Sequence, residues 1–259
     1  MLSWVAATMV LRKWDGYAWE KEGCLSLKAL PFCLIAVGCV GPLGRPPGTP
    51  PSEAECRKIP HAQTRGEWGD DWPTLENADH IWRVEVPDQT SNIEALIPVR
   101  DYPMAGLQGM DELAQCANNE VFMAFTNDRM WLSGDQQPPC DGVPPYLTYQ
   151  TAVSMPHWRL YFLAIYIDRI QWSKRYAELR WHELGHALIN IRIFHHMESI
   201  VNMVSCDETG SMIHTLDQIR LGQHRAYDHC TCHGQCQDSC EMATALFDGV
   251  TVTFSDGHR

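Results

Sequence analysis

The sequence predicts an α+β fold in which an antiparallel sheet is followed by a helical region. Between about residues 80 and 155, apolar side chains tend to recur at every second position, as in strands with one buried face. After Pro156 the spacing changes to that of helices. Strands that precede helices, rather than alternate with them, are typical of the α+β class. With 259 residues, 45% of them hydrophobic, the chain can form a folded core.

Four strands and one short helix are predicted in the first region. In HIWRVEV, from His80 to Val86, the tryptophan and both valines share one face. Segments rich in β-forming residues predict three further strands, at Ile93–Tyr102, Glu120–Leu132 and Tyr146–Met155. The intervening LQGMDELAQCAN, from Leu107 to Asn118, predicts a short helix.

Two long helical segments and one last strand are predicted in the second region. Apolar residues lie at helical spacing from Leu160 to Ile200, and a second helical stretch runs from Asp207 to Tyr227. The β-forming residues Thr251–Phe254 predict a final strand near the end of the chain.

An apolar run near the beginning of the chain favours export. LPFCLIAVGCV, from Leu30 to Val40, is too short to cross a bilayer as a helix, which takes about 20 residues. Its length and basic flank are typical of a signal peptide within residues 1–40, and Ala36-Val37-Gly38-Cys39 is similar to a lipobox. The acidic residues before the run are unusual in a signal peptide, so a start further in and a buried apolar segment remain alternatives. We expect a periplasmic or secreted protein, with a lipid anchor as one option.

Composition also predicts the domain boundaries and the class of partner. Dense proline and glycine predict a linker over residues 41–79, which leaves residues 80–259 as the folded domain. The formal net charge of −12 argues against nucleic acids and anionic membrane surfaces as partners, because both attract basic patches. We therefore expect a peptide or protein substrate, no nucleic acid, and membrane contact only through an N-terminal lipid anchor.

The segment His182-Glu183-Leu184-Gly185-His186 carries the pattern of a zinc hydrolase. Residues four apart lie above one another on a helix, so His182 and His186 can direct their nitrogens at one Zn²⁺ ion. Glu183, beside the first ligand, can accept a proton from a water molecule whose pKa the metal lowers. The alternative is that these histidines lie on a solvated helix face.

Two imidazoles need a third ligand to form a defined site. Ile189 and Arg192 occupy the positions where a metzincin has glycine and histidine, so that clan is excluded. A gluzincin has its third ligand, a glutamate, on a following helix, and both Glu198 and Glu208 are candidates for it.

The order of motifs resembles a bacterial family called domain of unknown function 922, described as predicted secreted zinc-dependent proteases. The family has a P-x-W after a strand, aromatic residues and a leucine before HExGH, then a cysteine and Y-D-x-x-T-x-H-G. The matching residues outside HELGH include Pro156, Trp158, Trp172, Tyr176, Leu179, Cys206, Tyr227, Asp228, Thr231, His233 and Gly234. An upstream segment is also similar to one of the family, at Tyr102, Gly106, Glu112 and Leu113. The resemblance covers roughly residues 93–239 and implies a secreted zinc peptidase.

The second motif supplies candidates for the remaining roles. A histidine followed by glycine just past a helix end can turn back towards the first motif, so His233 is predicted as the third zinc ligand. Asp228 is predicted to hold a ligand histidine by its far nitrogen. Tyr227 is predicted to donate to the oxyanion of the reaction. Each residue also has a structural interpretation, as a surface, turn or packing residue.

Eleven cysteines suggest disulfides in an exported protein. A bridge between Cys140 and Cys206 is the preferred pairing, because it ties the sheet to the helices. Four more cluster near the second motif, where they form either disulfides or a structural zinc site: Cys230, Cys232, Cys236 and Cys240.

These observations together predict a zinc-dependent metallopeptidase of a Gram-negative envelope. Glu183 is its general base, and Tyr227 is a second catalytic residue. The alternative is a catalytically inactive, zinc-stabilised envelope scaffold or binding protein. A third hypothesis is a reduced cytosolic protein whose thiols bind metal.

Overall fold

A computed structural model of the chain describes residues 51–59, 68, 71–88, 92–116, 123–133, 146–201, 203 and 206–255. The helices are α1 Glu53–Cys56, α2 Leu107–Gln115, α3 Tyr166–Val201, α4 Cys206–Thr231 and α5 Glu241–Phe247. The strands are β1 His80–Val86, β2 Ile93–Met104, β3 Phe125–Ser133, β4 Tyr146–Trp158 and β5 Thr251–Phe254. The α+β prediction is confirmed. Within the described ranges, no helix combines the length and apolar character needed to cross a membrane.

The five strands form one sheet in the order β3-β4-β2-β1-β5. Three of its pairings are antiparallel, and β2 pairs with β4 in parallel. The sheet is therefore mixed, whereas the sequence suggested an antiparallel one. The parallel pair arises because α2 and β3 lie between β2 and β4 in the chain, and β4 then returns beside β3. The predicted last strand is present as β5, at the edge beside β1.

Helix α3 lies against one face of this sheet and supports the core. Its middle part, His182–Ile191, is buried along almost its whole length, because strands β3 and β4 contact it and α4 packs on it as well. A helix enclosed in this way has no continuous polar face. The core beneath it is formed by side chains from three strands and from α3: Trp82, Val84, Val86, Ile97, Val99, Val153, Met155, Leu184, Leu188 and Ile191.

Helix α4 is longer than the sequence suggested, and its additional turn carries residues of the candidate functional site. The predicted helical stretch ends at Tyr227, whereas α4 continues to Thr231. One more turn of helix therefore carries Asp228 and Thr231 on the surface that faces α3. Helix α5, which was not predicted, follows within ten residues and packs on both long helices.

Part of the predicted linker is attached to the domain. Cys56 of α1 is fully buried and forms a disulfide with Cys116, just after α2. Trp72 is also buried, and the guanidinium of Arg129 on β3 lies 4.2 Å from the centre of its ring. Of the segment 41–79, residues 51–59, 68 and 71–79 lie among the described residues, and these contacts join them to the domain.

Candidate metal centre

Helices α3 and α4 run side by side and bring two histidines and one aspartate together. His182 and His186 project from adjacent turns of α3, as their spacing predicts. The chain turns back after Val201, and the last turns of α4 then place Asp228 opposite both imidazoles. Among the described residues, these three form the one group of His, Cys, Asp or Glu side chains arranged to hold a metal ion.

Three ligand atoms form a nearly equilateral triangle. The Nε2 atoms of His182 and His186 are 3.2 Å apart. Asp228 Oδ1 lies 3.2 Å from the Nε2 of His182 and 2.9 Å from that of His186. In a tetrahedral zinc site with bonds of about 2.0 Å, neighbouring ligand atoms are about 3.3 Å apart. The triangle therefore matches one face of a zinc coordination tetrahedron.

The imidazole of His182 is held by its other nitrogen. Its Nδ1 lies 3.2 Å from the hydroxyl oxygen of Thr231. That hydroxyl donates its proton to the carbonyl oxygen of Tyr227 at 2.7 Å, so it accepts from His182. A proton on Nδ1 leaves the lone pair of a neutral imidazole on Nε2, where a metal would bind.

His186 is held in the same way by a different partner. Its Nδ1 lies 2.7 Å from Nδ1 of His224 on α4. The Nε2 of His224 is in turn 2.8 Å from the side-chain oxygen of Asn190. Neither His224 nor Asn190 was predicted as a site residue. A signal was present in the sequence, because His224 precedes Asp228 by four residues and therefore lies on the same helix face.

The charges of the triangle shift the pKa values of its members. Burial alone would raise the pKa of Asp228, but hydrogen bonds from His182 and His186 outweigh it and lower that pKa far below its usual value. Burial alone would lower the pKa of His186, but the hydrogen bond to Asp228 and the charges of Glu183 and Asp228 raise it above that of an ordinary imidazole. The site therefore keeps a negative carboxylate, which favours a cation.

Gly185 of the first motif allows Tyr227 of the second to pack against α3. A Cβ atom at Gly185 would overlap the hydroxyl oxygen and the Cζ of Tyr227. The Tyr227 ring is fully buried and stacks on the imidazole of His182 with ring centres 5.3 Å apart. Burial, and then the charges of Glu183 and Asp228, raise the pKa of its hydroxyl. The structure thus places Tyr227 in a packing position, with its hydroxyl against the helix.

Glu183 is buried next to the triangle and is held by strand β3. Its carboxylate oxygen Oε2 accepts a hydrogen bond of 2.7 Å from the hydroxyl of Thr126. The side chain is 4% exposed, and its charge contributes to raising the pKa of Tyr102, after burial, as well as that of His186. The structure thus brings the Glu183 carboxylate beside the triangle, while its role as a general base stays a prediction.

His233 lies at the rim of the triangle rather than within it. Its Nδ1 is 3.6 Å from Asp228 Oδ1, and the side chain is 80% exposed. Cys232, His233 and Gly234 have φ values of 50°, 52° and 91°, which turn the chain sharply after α4. This turn brings Gly234 against His182, where an added Cβ would lie 3.1 Å from the histidine Cβ. The turn towards the motif helix is present, while the position closest to both imidazoles belongs to Asp228.

The two glutamates considered as alternative ligands lie too far from His182 and His186 to share a metal ion with them. Glu198 follows His186 on α3 by three turns, or about 18 Å at about 1.5 Å per residue. Glu208 lies near the beginning of α4, about 30 Å along the helix from Asp228 at the same rise. Glu198 faces His195 instead, with 4.0 Å between Glu198 Oε2 and His195 Nδ1. Neither glutamate can complete the triangle.

The clustered cysteines are paired in disulfides. Cys230 is bonded to Cys240, which joins the end of α4 to the beginning of α5, and Cys232 is bonded to Cys236 across the turn that carries His233. Because these sulfur atoms are bonded in pairs, the four cysteines do not form the alternative structural zinc site. The predicted Cys140–Cys206 bridge lies outside the residues whose side chains the structure describes.

Comparisons with protein-family models, curated proteins and solved structures gave no match to this chain. The resemblance to domain of unknown function 922 therefore stays a prediction, and the geometry of the site is the main indication of function.

Proposed function

We propose that the protein is a zinc-dependent metallopeptidase in which His182, His186 and Asp228 bind the metal. The observation that carries this proposal is the triangle of ligand atoms, with edges of 3.2, 3.2 and 2.9 Å. Both histidines also have their Nδ1 atoms engaged, by Thr231 and His224. In the metal-free protein, protons on Nε2 bond to the Asp228 carboxylate, and a metal ion bound by the three atoms would take the place of those protons.

Three protein ligands leave one position open, which is typical of catalytic zinc sites. A zinc ion bound here would lower the pKa of a water molecule and polarise the carbonyl of a substrate. Glu183 would take a proton from that water as its oxygen attacks the carbonyl carbon, and would return the proton to the amine as the C–N bond breaks. Thr126 holds the carboxylate of Glu183 against β3, so the base has a fixed position beside the ligands. Peptide bonds are the proposed substrate on the strength of the HExxH pattern.

Tyr227 takes a supporting role in this proposal. Its hydroxyl lies against the backbone at Gly185 and the whole residue is buried, so it would have to leave its packing position to reach a substrate. Its ring instead stacks on His182 and limits the movement of that imidazole. The predicted donation to the oxyanion is therefore not included.

The exposed position of His233 favours a second candidate function. Its Nδ1 lies 3.6 Å from Asp228 Oδ1, so a change of side-chain rotamer would bring a fourth protein ligand to the metal. Zinc sites with four protein ligands are structural. The alternative is accordingly an inactive, zinc-stabilised envelope scaffold or binding protein.

One pair of variants distinguishes these functions. Glu183→Gln keeps the size of the side chain and removes the base, whereas Glu178→Gln changes an exposed carboxylate on the same helix and serves as the matched control. Zinc content and hydrolysis of an unfolded protein substrate are measured for both variants and the wild type. The peptidase proposal expects zinc in all three proteins and loss of hydrolysis in Glu183→Gln alone. Zinc without hydrolysis in the wild type favours the scaffold, and absence of zinc rejects both functions.

The disulfides support export as part of the proposal. Three lie among the described residues, and disulfides of this number persist in oxidising compartments such as the periplasm or the extracellular space. We therefore place the proposed peptidase in the periplasm or outside the cell. Mass spectrometry of protein recovered from each cell fraction, alkylated before reduction, tests this assignment.

A further inference from the structure

A buried arginine lies at the far end of the hydrogen bonds that lead away from the candidate metal site. Arg220 of α4 is 1% exposed, and its guanidinium donates to Asp128 Oδ1 and Asp217 Oδ1, each at 2.7 Å. The two carboxylates balance its charge inside the protein. A third hydrogen bond, of 3.0 Å, goes from Arg220 to the side-chain oxygen of Asn190. Because a guanidinium has donors only, the atom of Asn190 that faces it must be the acceptor oxygen.

The other half of the Asn190 amide confirms this orientation. Its nitrogen donates to the hydroxyl of Thr151 at 2.9 Å, and that hydroxyl lies 3.2 Å from the carbonyl oxygen of Asn127, to which it donates. The amide oxygen also faces Nε2 of His224 at 2.8 Å. An oxygen can only accept, so Nε2 of His224 carries the proton.

The same reasoning extends to the metal ligand. With its proton on Nε2, a neutral His224 has a lone pair on Nδ1, and this atom lies 2.7 Å from Nδ1 of His186. Nδ1 of His186 must then donate. A charged His186 also donates from Nε2 to Asp228 at 2.9 Å. When His186 loses one proton, Nδ1 keeps its own, and the lone pair is on Nε2, the atom that faces His182 and Asp228.

We propose that His224 is a positioning residue, which holds the proton of His186 on Nδ1 and so keeps Nε2 free for the metal. Arg220 fixes the orientation of the Asn190 amide, and that orientation sets the direction of the hydrogen bonds from His224 to Asn190 and from His186 to His224. A carboxylate, a backbone carbonyl or a water usually performs this task for a metal-binding histidine. Here a second histidine does so, and it can do so only because the buried arginine fixes the amide beyond it. The inference rests on the proposed metal site for its function, but its geometry is a property of the metal-free protein.

The proton positions can be observed directly. In protein labelled with ¹⁵N at histidine, long-range proton–nitrogen correlations distinguish a protonated from an unprotonated ring nitrogen. We expect His186 to carry a proton on Nδ1 in the metal-free protein and again after addition of Zn²⁺, and His224 to carry its proton on Nε2. A neutral His186 with its proton on Nε2 in the metal-free protein overturns the proposal, whether or not zinc binds.

Variants of His224 measure what this arrangement contributes. His224→Asn keeps an acceptor near the place of Nδ1, whereas His224→Leu removes it. The exposed His214 on the same helix, changed to Asn, is the control. Outer partners of metal ligands typically contribute about 10- to 100-fold in affinity, so we expect His224→Leu to weaken Zn²⁺ binding by that factor. His224→Asn should retain most of the affinity, although it also loses the contact to Asn190.

The outcomes separate this inference from the proposed function. If the wild type binds no zinc, the metal site is rejected, and the proton positions in the metal-free protein still decide the role of His224. If the wild type binds zinc and a folded His224→Leu variant binds it equally well, the positioning role is rejected and the metal site stands. Equal losses in His224→Asn and His224→Leu also reject it, because they indicate a packing role.

Discussion

The hydroxyl of Tyr227 lies against the backbone of Gly185, so closely that an added Cβ atom would overlap it. One residue belongs to the HELGH motif on α3, and the other lies 42 positions later on α4. Their contact sets the distance between the two helices at the point where His182, His186 and Asp228 meet. The glycine of the motif is therefore required by a neighbouring side chain, rather than by the metal.

Replacing Gly185 with alanine is expected to destabilise the protein. Overpacking of this kind typically costs about 1–3 kcal/mol, which exceeds the gain of up to about 1 kcal/mol that alanine brings to a helix. Gly222 of α4 has nothing within 4 Å of an added Cβ, so Gly222→Ala is the control and should stabilise. The free energy of unfolding in urea is the measurement. Adding Tyr227→Leu to Gly185→Ala should give a smaller loss than the sum of the single changes, and strict additivity would contradict the contact.

Asp228 is expected to be the third metal ligand. Asp228→Asn should weaken Zn²⁺ binding by more than about 100-fold, the upper end of the loss that outer partners of ligands typically cause. Competition with a coloured chelator measures the affinity. Glu198→Gln and Glu208→Gln change the two candidates that lie too far away, and both should bind zinc as the wild type does. A smaller effect of Asp228→Asn than of His233→Ala would show that the histidine at the rim is the ligand instead.

The sequence predicted the helix and two of the three members of the triangle, His182 and His186, because both are local features. Two histidines four residues apart on a helix face must lie together, whatever the rest of the fold. The strands were similarly visible from their alternation and composition. The parallel pairing of β2 with β4 could not be predicted from the sequence. It depends on the course of the chain after α2, which no short-range sequence pattern indicates.

The place of Asp228 in the triangle was not predicted, and the predicted helix ended four residues before the end of α4. A histidine followed by glycine just past the predicted helix end was expected to turn back towards the first motif, so His233 was interpreted as the ligand and Asp228 as an orienting residue. In the structure α4 continues to Thr231, and one face of it carries Arg220, His224, Asp228 and Thr231. Three- and four-residue spacings connect these positions. The pattern was present in the sequence, but its meaning depended on the antiparallel packing of α4 against α3.

The pKa shifts predict how the metal-free protein responds to pH. The pKa of His186 is raised in the folded state, so its contribution to stability is complete below about 6.5, the ordinary value, and is lost as pH rises through the raised pKa. The pKa of Asp228 is lowered, so its contribution is present above about 4 and is lost as pH falls through the lowered value. Asp228 and His186 together should therefore stabilise the folded state most between about pH 4 and about pH 6.5.

The difference in unfolding free energy between the wild type and Asp228→Asn isolates this contribution. Measured without metal, the difference should be largest near pH 5–6, an estimate set by ordinary pKa values of about 4 and 6.5, and should shrink towards pH 8. With Zn²⁺ the dependence should reverse at neutral pH, because protons compete with the metal for Nε2 and binding strengthens as pH rises. A difference that stays constant across this range would contradict the ion pair between Asp228 and His186.

The disulfides are expected to contribute unequally to stability, and the contribution should increase with the length of chain that each one closes. Cys56–Cys116 spans 60 residues and Cys232–Cys236 spans four. The loss of loop entropy in the unfolded state corresponds to about 4 kcal/mol for the longer loop and about 2 kcal/mol for the shorter one. Replacing each pair by alanine and measuring unfolding in urea tests the order. Zinc affinity gives an independent result: only the Cys232–Cys236 variant should lose affinity, because that bridge closes the turn that holds Gly234 against His182. If instead removing Cys56–Cys116 weakened zinc binding in the folded protein, the attached segment before β1 would have a part in the metal site that the present geometry does not assign to it.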